Sequence, residues 1–131
     1  MGKFGDMLND VNTKVGGVLG EAISELTEKG YIEQGLLAWV NRKVSMFKFE
    51  SMFLGIKNGE LMMLPIVNIK EYLYDKVEYY KKQDIKAIKM SGLSRILTIK
   101  FKHGGKVEFH PIYAGNSKPS LDKIVAIFSA K

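Results

Sequence analysis

The chain has 131 residues, 46% hydrophobic and 26% charged, with no cysteine. That is enough apolar material for one globular domain with its own core, and the lack of cysteine excludes disulfides, thiolate catalysis and sulfur-ligated zinc. The net charge of +6 is uneven: residues 1–30 carry three lysines against five carboxylates, so −2, and residues 31–131 carry +8.

The chain starts MGKFGDMLND, with Asp6 and Asp10 where a secretory signal would be apolar. The longest apolar run, Leu61–Ile69, falls well short of the roughly 18 residues of a membrane-spanning helix. The expectation is a soluble, cytoplasmic protein. Phe4, Leu8, Val11, Val15, Leu19, Ala22 and Leu26 recur at three- and four-residue steps, which marks one face of an amphipathic helix. Lys29–Gly30 is a suitable stop. Gly16, Gly17 and Gly20 each cost about 1 kcal/mol relative to alanine inside a helix, so the segment needs a surface to dock on. Residues 1–30 are read as an appended helical segment and 31–131 as the folded domain.

From Leu36 the period changes to two. GLLAWVNRKVSMFKFE (Gly35–Glu50) reads as one strand, straight or bent, with a helical turn over Leu36–Val40 as the alternative. Next, Asn58–Gly59 is the strongest two-residue hairpin signal. Such a turn pairs Lys57 with Glu60, Ile56 with Leu61, Leu54 with Met63 and Phe53 with Leu64, and sets Gly55 across from Met62. Both faces of this hairpin are apolar, so both must be covered. Either Trp39 and neighbouring strands cover the second face (Phe53, Met62, Leu64, Ile66), or it is a contact surface for the N-terminal helix or for another subunit.

KVEYYKK (Lys76–Lys82) and IKAIKM (Ile85–Met90) read as two more strands. In ILTIKFKHGGKVEFH, a three-residue loop His103–Gly104–Gly105 pairs Lys102 with Lys106, Phe101 with Val107 and Ile99 with Phe109. The chain closes with a helix. Ser117 is the expected N-cap, and Leu121, Ile124, Val125 and Phe128 share one face.

Several of these fragments resemble the bacterial pleckstrin-homology-like (PH-like) family. FLGIKNGELMML resembles its strand–turn–strand, YYKKQDIKAIKM its strand–corner–strand with Asp84–Ile85 at the corner, ILTIKFKHGGKVEFH its last hairpin and LDKIVAIF its capping helix. The resemblance spans roughly Gly35 to Lys131. It implies a barrel of about seven antiparallel strands plugged by the C-terminal helix. The superfold hosts lipid binding, peptide binding and oligomerisation, so fold alone does not assign function. Phosphoinositide-binding members cluster basic residues around an early strand loop. The candidates here are Arg42, Lys43, Lys48 and Lys57, to be weighed against lysines that merely solvate a basic domain.

No catalytic or metal-binding constellation is found. His103 and His110 have no carboxylate cluster at ligand spacing, and GGVLGEA lacks the Lys–Ser/Thr of a phosphate loop. Tyr72, Tyr74, Tyr79 and Tyr80 lie among lysines, as in single-strand nucleic-acid binders. Tyr79 and Tyr80 adjoin in one strand, however, so only one of the two faces out, which argues against nucleic acid. The expected protein is non-enzymatic and needs no cofactor. It acts through protein contacts or self-association, with Phe4, Leu8, Val11, Val15, Leu19, Phe53, Met62, Leu64 and Ile66 as the contact set. The alternative is a peripheral module on anionic membrane surfaces.

Overall fold

The computed structural model describes residues 17–93, 95–113 and 117–129. A helix, α1 (Gly20–Glu28), follows a 3-10 turn at Gly17–Leu19. Among the described residues eight strands come next: β1 (Leu37–Ser45), β2 (Lys48–Lys57), β3 (Glu60–Asn68), β4 (Glu71–Tyr72), β5 (Glu78–Lys81), β6 (Ile85–Met90), β7 (Leu97–Phe101) and β8 (Lys106–Pro111). The chain ends in α2 (Ser117–Ser129). All pairings are antiparallel, in the order β4-β3-β2-β1-β8-β7-β6, with β5 also on β3.

The β2–β3 hairpin has the register expected from Asn58–Gly59. Lys57 pairs with Glu60, Ile56 with Leu61, Gly55 with Met62, Leu54 with Met63 and Phe53 with Leu64. Asn58 and Gly59 have φ of 53° and 76°, the two left-handed residues of a type I′ turn. Because side chains alternate, this hairpin feeds two cores. Met52, Leu54, Ile56, Leu61 and Met63 point into one, with Ile85, Ile88, Leu97, Ile99, Phe101, Phe109 and the α2 residues Leu121, Ile124 and Phe128. Phe53, Met62, Leu64 and Ile66 point into the other, with Leu19, Ala22, Leu26, Ile32 and Leu37.

α1 covers this second face through Leu19, Ala22 and Leu26, whose three- and four-residue steps lay one stripe on the sheet. The helix stops as its sequence implies. Gly30 is left-handed at φ 81°, its N–H donates to Thr27 O and the Tyr31 N–H donates to Leu26 O at 2.8 Å, which satisfies the last carbonyls in a Schellman arrangement. The returning chain is tied down where the Glu33 N–H donates to Ile56 O at 2.8 Å.

Gly55 lies beneath this return. A Cβ there would come within 2.8 Å of Ile32 Cγ2 and 3.1 Å of Met62 Cε. Gly55→Ala is therefore expected to cost about 1–3 kcal/mol through overpacking, measured by urea unfolding. No measurable loss would mean that Ile32 yields freely and that the seat is loose.

Four expectations are corrected. Gly35–Glu50 is not one strand: β1 and β2 form a hairpin in which Ser45 pairs with Lys48 and a register shift lies between Lys43 and Ser45. Its turn, Met46–Phe47, uses neither glycine nor a positive φ, so no turn residue announces it. The β7–β8 register is two residues off the expected one, with Ile99 opposite Val107 and Lys100 opposite Lys106. There the Gly104 N–H donates to Phe101 O, the Phe101 N–H donates to Gly105 O, and Gly104 and Gly105 are both left-handed. A slip of two keeps every side chain on its expected face.

The sheet is also not closed into a barrel. β5 pairs with β3, and after the 3-10 turn Lys82–Asp84 the chain enters β6, which pairs with β7 at the far end of the sheet. Packing of α2 fills the interior without a final ladder of hydrogen bonds. Last, Ser117 does not spend its hydroxyl on its own helix: Oγ accepts the Trp39 N–H at 2.9 Å, fastening α2 to β1. Leu121, Ile124 and Phe128 are buried as expected, while Val125 is half-buried at the margin.

Candidate functional site at the β1–β2 turn

A two-residue turn gives its side chains few neighbours, so apolar residues there stay wet. Met46 is 74% exposed and Phe47 91%, with Val44 and Phe49 about half exposed beside them. This is the densest group of exposed apolar side chains among the described residues. Sequence reasoning missed it because Val44-Ser45-Met46-Phe47-Lys48-Phe49 contains no glycine, proline or asparagine to mark a turn and was read within a single strand. The available signal was a run of large apolar residues directly after Arg42–Lys43 in a stretch with no matching apolar partner.

Cations surround this tip. Arg42 and Lys43 lie in the second half of β1, Lys48 begins β2 and Lys106 begins β8. Arg42, Lys43 and Lys106 line a groove of about 700 Å³ that also meets Ser45, Met46, Glu50 and Glu108. Lys43 Nζ lies 3.6 Å from Glu108 Oε2, the same oxygen that faces His110 Nε2 at 3.6 Å. Phe49 packs edge-on to the His110 ring at 5.0 Å. Of the four candidate lipid contacts, Arg42, Lys43 and Lys48 gather at this turn. Lys57 does not: it ends β2 at the other hairpin, opposite Glu60, roughly 30 Å of strand away.

The contact set divides differently. Leu19, Phe53, Met62, Leu64 and Ile66 meet in the second core, each at most 5% exposed. Phe4, Leu8, Val11 and Val15 lie outside the described residues. Trp39 packs at the margin of the same core.

The tyrosines serve the fold. Tyr74 donates to a Glu25 carboxylate oxygen and its ring stacks with Tyr31 at 4.7 Å, while Lys29 Nζ sits 4.8 Å over the Tyr74 centroid. Tyr72 contacts Phe53 and Tyr74. Burial, with Glu25 and Glu21 adding repulsion, pushes the Tyr72 phenol up to about 12. Burial and the Glu25 hydrogen bond raise Tyr74 as well. Both phenols stay neutral, and Tyr74, through its hydrogen bond to Glu25, pins α1 to the sheet. The Tyr79 hydroxyl donates to Tyr31 O at 3.1 Å, and Tyr80 packs on Phe101 at 5.0 Å. These side chains form no open stacking platform.

His103 stacks on Phe101 at 5.6 Å in the β7–β8 loop. Among the described residues no group of three or more His, Asp or Glu is placed to hold a metal ion. No described helix is long and apolar enough to cross a membrane.

No family model and no curated protein sequence matches the chain. Solved structures do. The crystal structure of the C-terminal domain of an unknown protein from Leishmania infantum aligns with a TM-score of 0.53 at 10% identity, over 86% of this chain and 95% of that one. The Slm1-PH domain, solved in complex with inositol-4-phosphate, aligns with a TM-score of 0.50 at 13% identity, over 72% of this chain and 94% of that one. The fold is PH-like.

At these identities the likeness carries architecture and not lineage, so a bacterial origin stays an expectation of the sequence. In PH-like terms, α1 is an addition packed on the outer face of the sheet, and α2 is the C-terminal helix of the fold.

Proposed function

We propose that the chain is a non-catalytic PH-like module that docks on an anionic membrane surface through the β1–β2 turn. The observation that carries this reading is the pairing of exposed Met46 and Phe47 with Arg42, Lys43, Lys48 and Lys106 at one end of the sheet. An apolar tip collared by cations matches the layered chemistry of a bilayer surface, with acyl chains below and anionic headgroups above. Transferring a Phe or Met side chain from water contributes about 1.5–3 kcal/mol, and each lysine near an anionic surface about 1 kcal/mol. Together these give weak, reversible binding. The Slm1-PH complex, whose bound ligand is a phosphorylated inositol, supports the same class of anionic headgroup. The apolar face expected to serve protein contacts or self-association is occupied by α1 of the same chain; a partner at that face would first have to displace the helix.

Sedimentation with vesicles tests the reading. Phosphatidylcholine vesicles containing phosphatidylglycerol are expected to carry the protein down, pure phosphatidylcholine vesicles much less, with binding weakened by salt. Met46→Ser/Phe47→Ser is expected to lower the partition coefficient at least about tenfold and to change stability by less than about 0.5 kcal/mol, since both side chains are exposed. Equal partition of wild type and variant, or a tip whose only effect is on the protein's own solution mass, rules membrane docking out.

A further inference from the structure

The turn that carries the apolar tip also carries a hydroxyl. Ser45 ends β1 directly before Met46 and Phe47, and it is exposed. Its stretch of backbone is the most weakly paired part of the strand. The β8 ladder covers Val40, Asn41 and Arg42 of β1 and stops there. From Lys43 onward the backbone of β1 pairs with β2 alone, through a register shift between Lys43 and Ser45 and a last pair of Ser45 with Lys48. No residue of Lys43–Ser45 belongs to either core. Such a segment is already extended and can part from the sheet by a local opening that leaves the fold intact.

The charges around Ser45 have a direction. Arg42 and Lys43 stand three and two residues before it, and two large apolar residues follow. Cations ahead of an acceptor hydroxyl form one of the charge patterns by which protein kinases select substrates. No other described serine or threonine combines that pattern with access. Thr98 has Arg95 three residues before it, but it is half-buried in β7 and paired with both β6 and β8. Ser51 lies three residues after Lys48, and its hydroxyl donates to Asn41 Oδ1 at 3.0 Å. Ser120 follows Lys118 by two residues and is 1% exposed.

We propose that Ser45 is the acceptor for a basic-directed serine/threonine protein kinase, and that its phosphorylation releases the β1–β2 turn from the membrane; the release rests on the docking reading above. Ser45 Oγ attacks the γ-phosphorus of ATP. The Oγ–P bond forms as the bond from that phosphorus to ADP breaks, and the hydroxyl proton passes to the carboxylate base of the kinase. The charge of the groove that Ser45 helps to line decides the outcome. Three cations, Arg42, Lys43 and Lys106, stand there against two carboxylates, Glu50 and Glu108, a net +1. A phosphoserine brings about −1.5 to −2 and takes that balance below zero. It does so beside Met46, where a phosphate is repelled by anionic headgroups and resists removal from water.

The test incubates the full chain with the catalytic subunit of cyclic-AMP-dependent protein kinase and radiolabelled ATP. Label is expected at Ser45, located by tandem mass spectrometry, and absent from Ser45→Ala. Arg42→Gln/Lys43→Gln, which keeps the hydroxyl, is expected to slow labelling at least about tenfold. Labelling is read without vesicles, so its result stands apart from that of docking. The purified phosphoprotein is then expected to partition onto phosphatidylcholine vesicles containing phosphatidylglycerol at least about tenfold more weakly than the unmodified chain. Phosphatase treatment should restore binding, and kinase treatment of Ser45→Ala should leave that variant's own partition where it was. No label at Ser45, label spread over other hydroxyls, or equal partition of phosphorylated and unmodified protein each overturns the inference. Unmodified protein that ignores the vesicles overturns the docking reading and the release with it, and the labelling then stands alone.

Discussion

Phe109→Ala is expected to lower the free energy of unfolding by about 3–5 kcal/mol. The ring is fully buried at the middle of the core between the sheet and α2, where β8 lies between β1 and β7. Its neighbours along the ladders are Leu97 on β7 and Arg42 on β1. Collapse into the vacated space would need both strands to shift, and each is held by its own register. The cavity term therefore adds to the lost transfer energy. Urea denaturation at constant m-value reads the loss directly. Phe128, buried near the end of α2 in the same core, makes a useful comparison. A Phe109→Ala loss under about 1 kcal/mol would show that the ring is not held in a packed interior.

Removing residues 1–30 has the second large effect expected. The remaining chain keeps every strand and α2, hence the whole of the first core. It loses Leu19, Ala22 and Leu26 from the second core and uncovers Phe53, Met62, Leu64 and Ile66. Four large apolar side chains in one patch favour dye binding and association. The truncated protein is expected to fold, to enhance the fluorescence of a hydrophobic dye, and to show a solution mass that rises with concentration. Leu26→Asp should produce a graded form of the same result by placing a carboxylate where no partner exists. A truncated chain with unchanged mass, unchanged melting and no dye response would mean that α1 contributes nothing to the fold.

The central hairpin was legible because Asn58 and Gly59 are chemically committed to the left-handed turn that the structure shows, and one fixed turn propagates its register along both strands. Its two apolar faces announced two covers. Which element supplies the second cover is a matter of tertiary proximity, and local pattern left Trp39 with its neighbouring strands on one side, and the N-terminal helix or another subunit on the other, as equal candidates. The β7–β8 loop shows a finer limit: parity follows from hydrophobic alternation, whereas Gly104 and Gly105 allow several loop lengths of the same parity. The β1–β2 turn was invisible since Met46 and Phe47 are strand-forming types with ordinary backbone angles. That omission hid the candidate site itself, because sequence patterns reward apolar residues for being buried and here they are not. The failure of β5 to meet β6 involves a choice of long-range partners, about which a single short strand says nothing.

The alternation along β2 and β3 has an evolutionary consequence. Each buried apolar side chain of Met52–Ile56 and Leu61–Leu64 belongs to one interior or the other according to whether its number is even or odd on its strand. Inserting or deleting one residue there would exchange the two sets at once, sending Phe53 toward α2 and Leu54 toward α1. Ordinary hairpins tolerate such an indel by turning a polar face inward at one place. This hairpin has no polar face to absorb the error, so changes of length in descendants of this chain are confined to its loops and termini, while substitutions that preserve volume remain open to it.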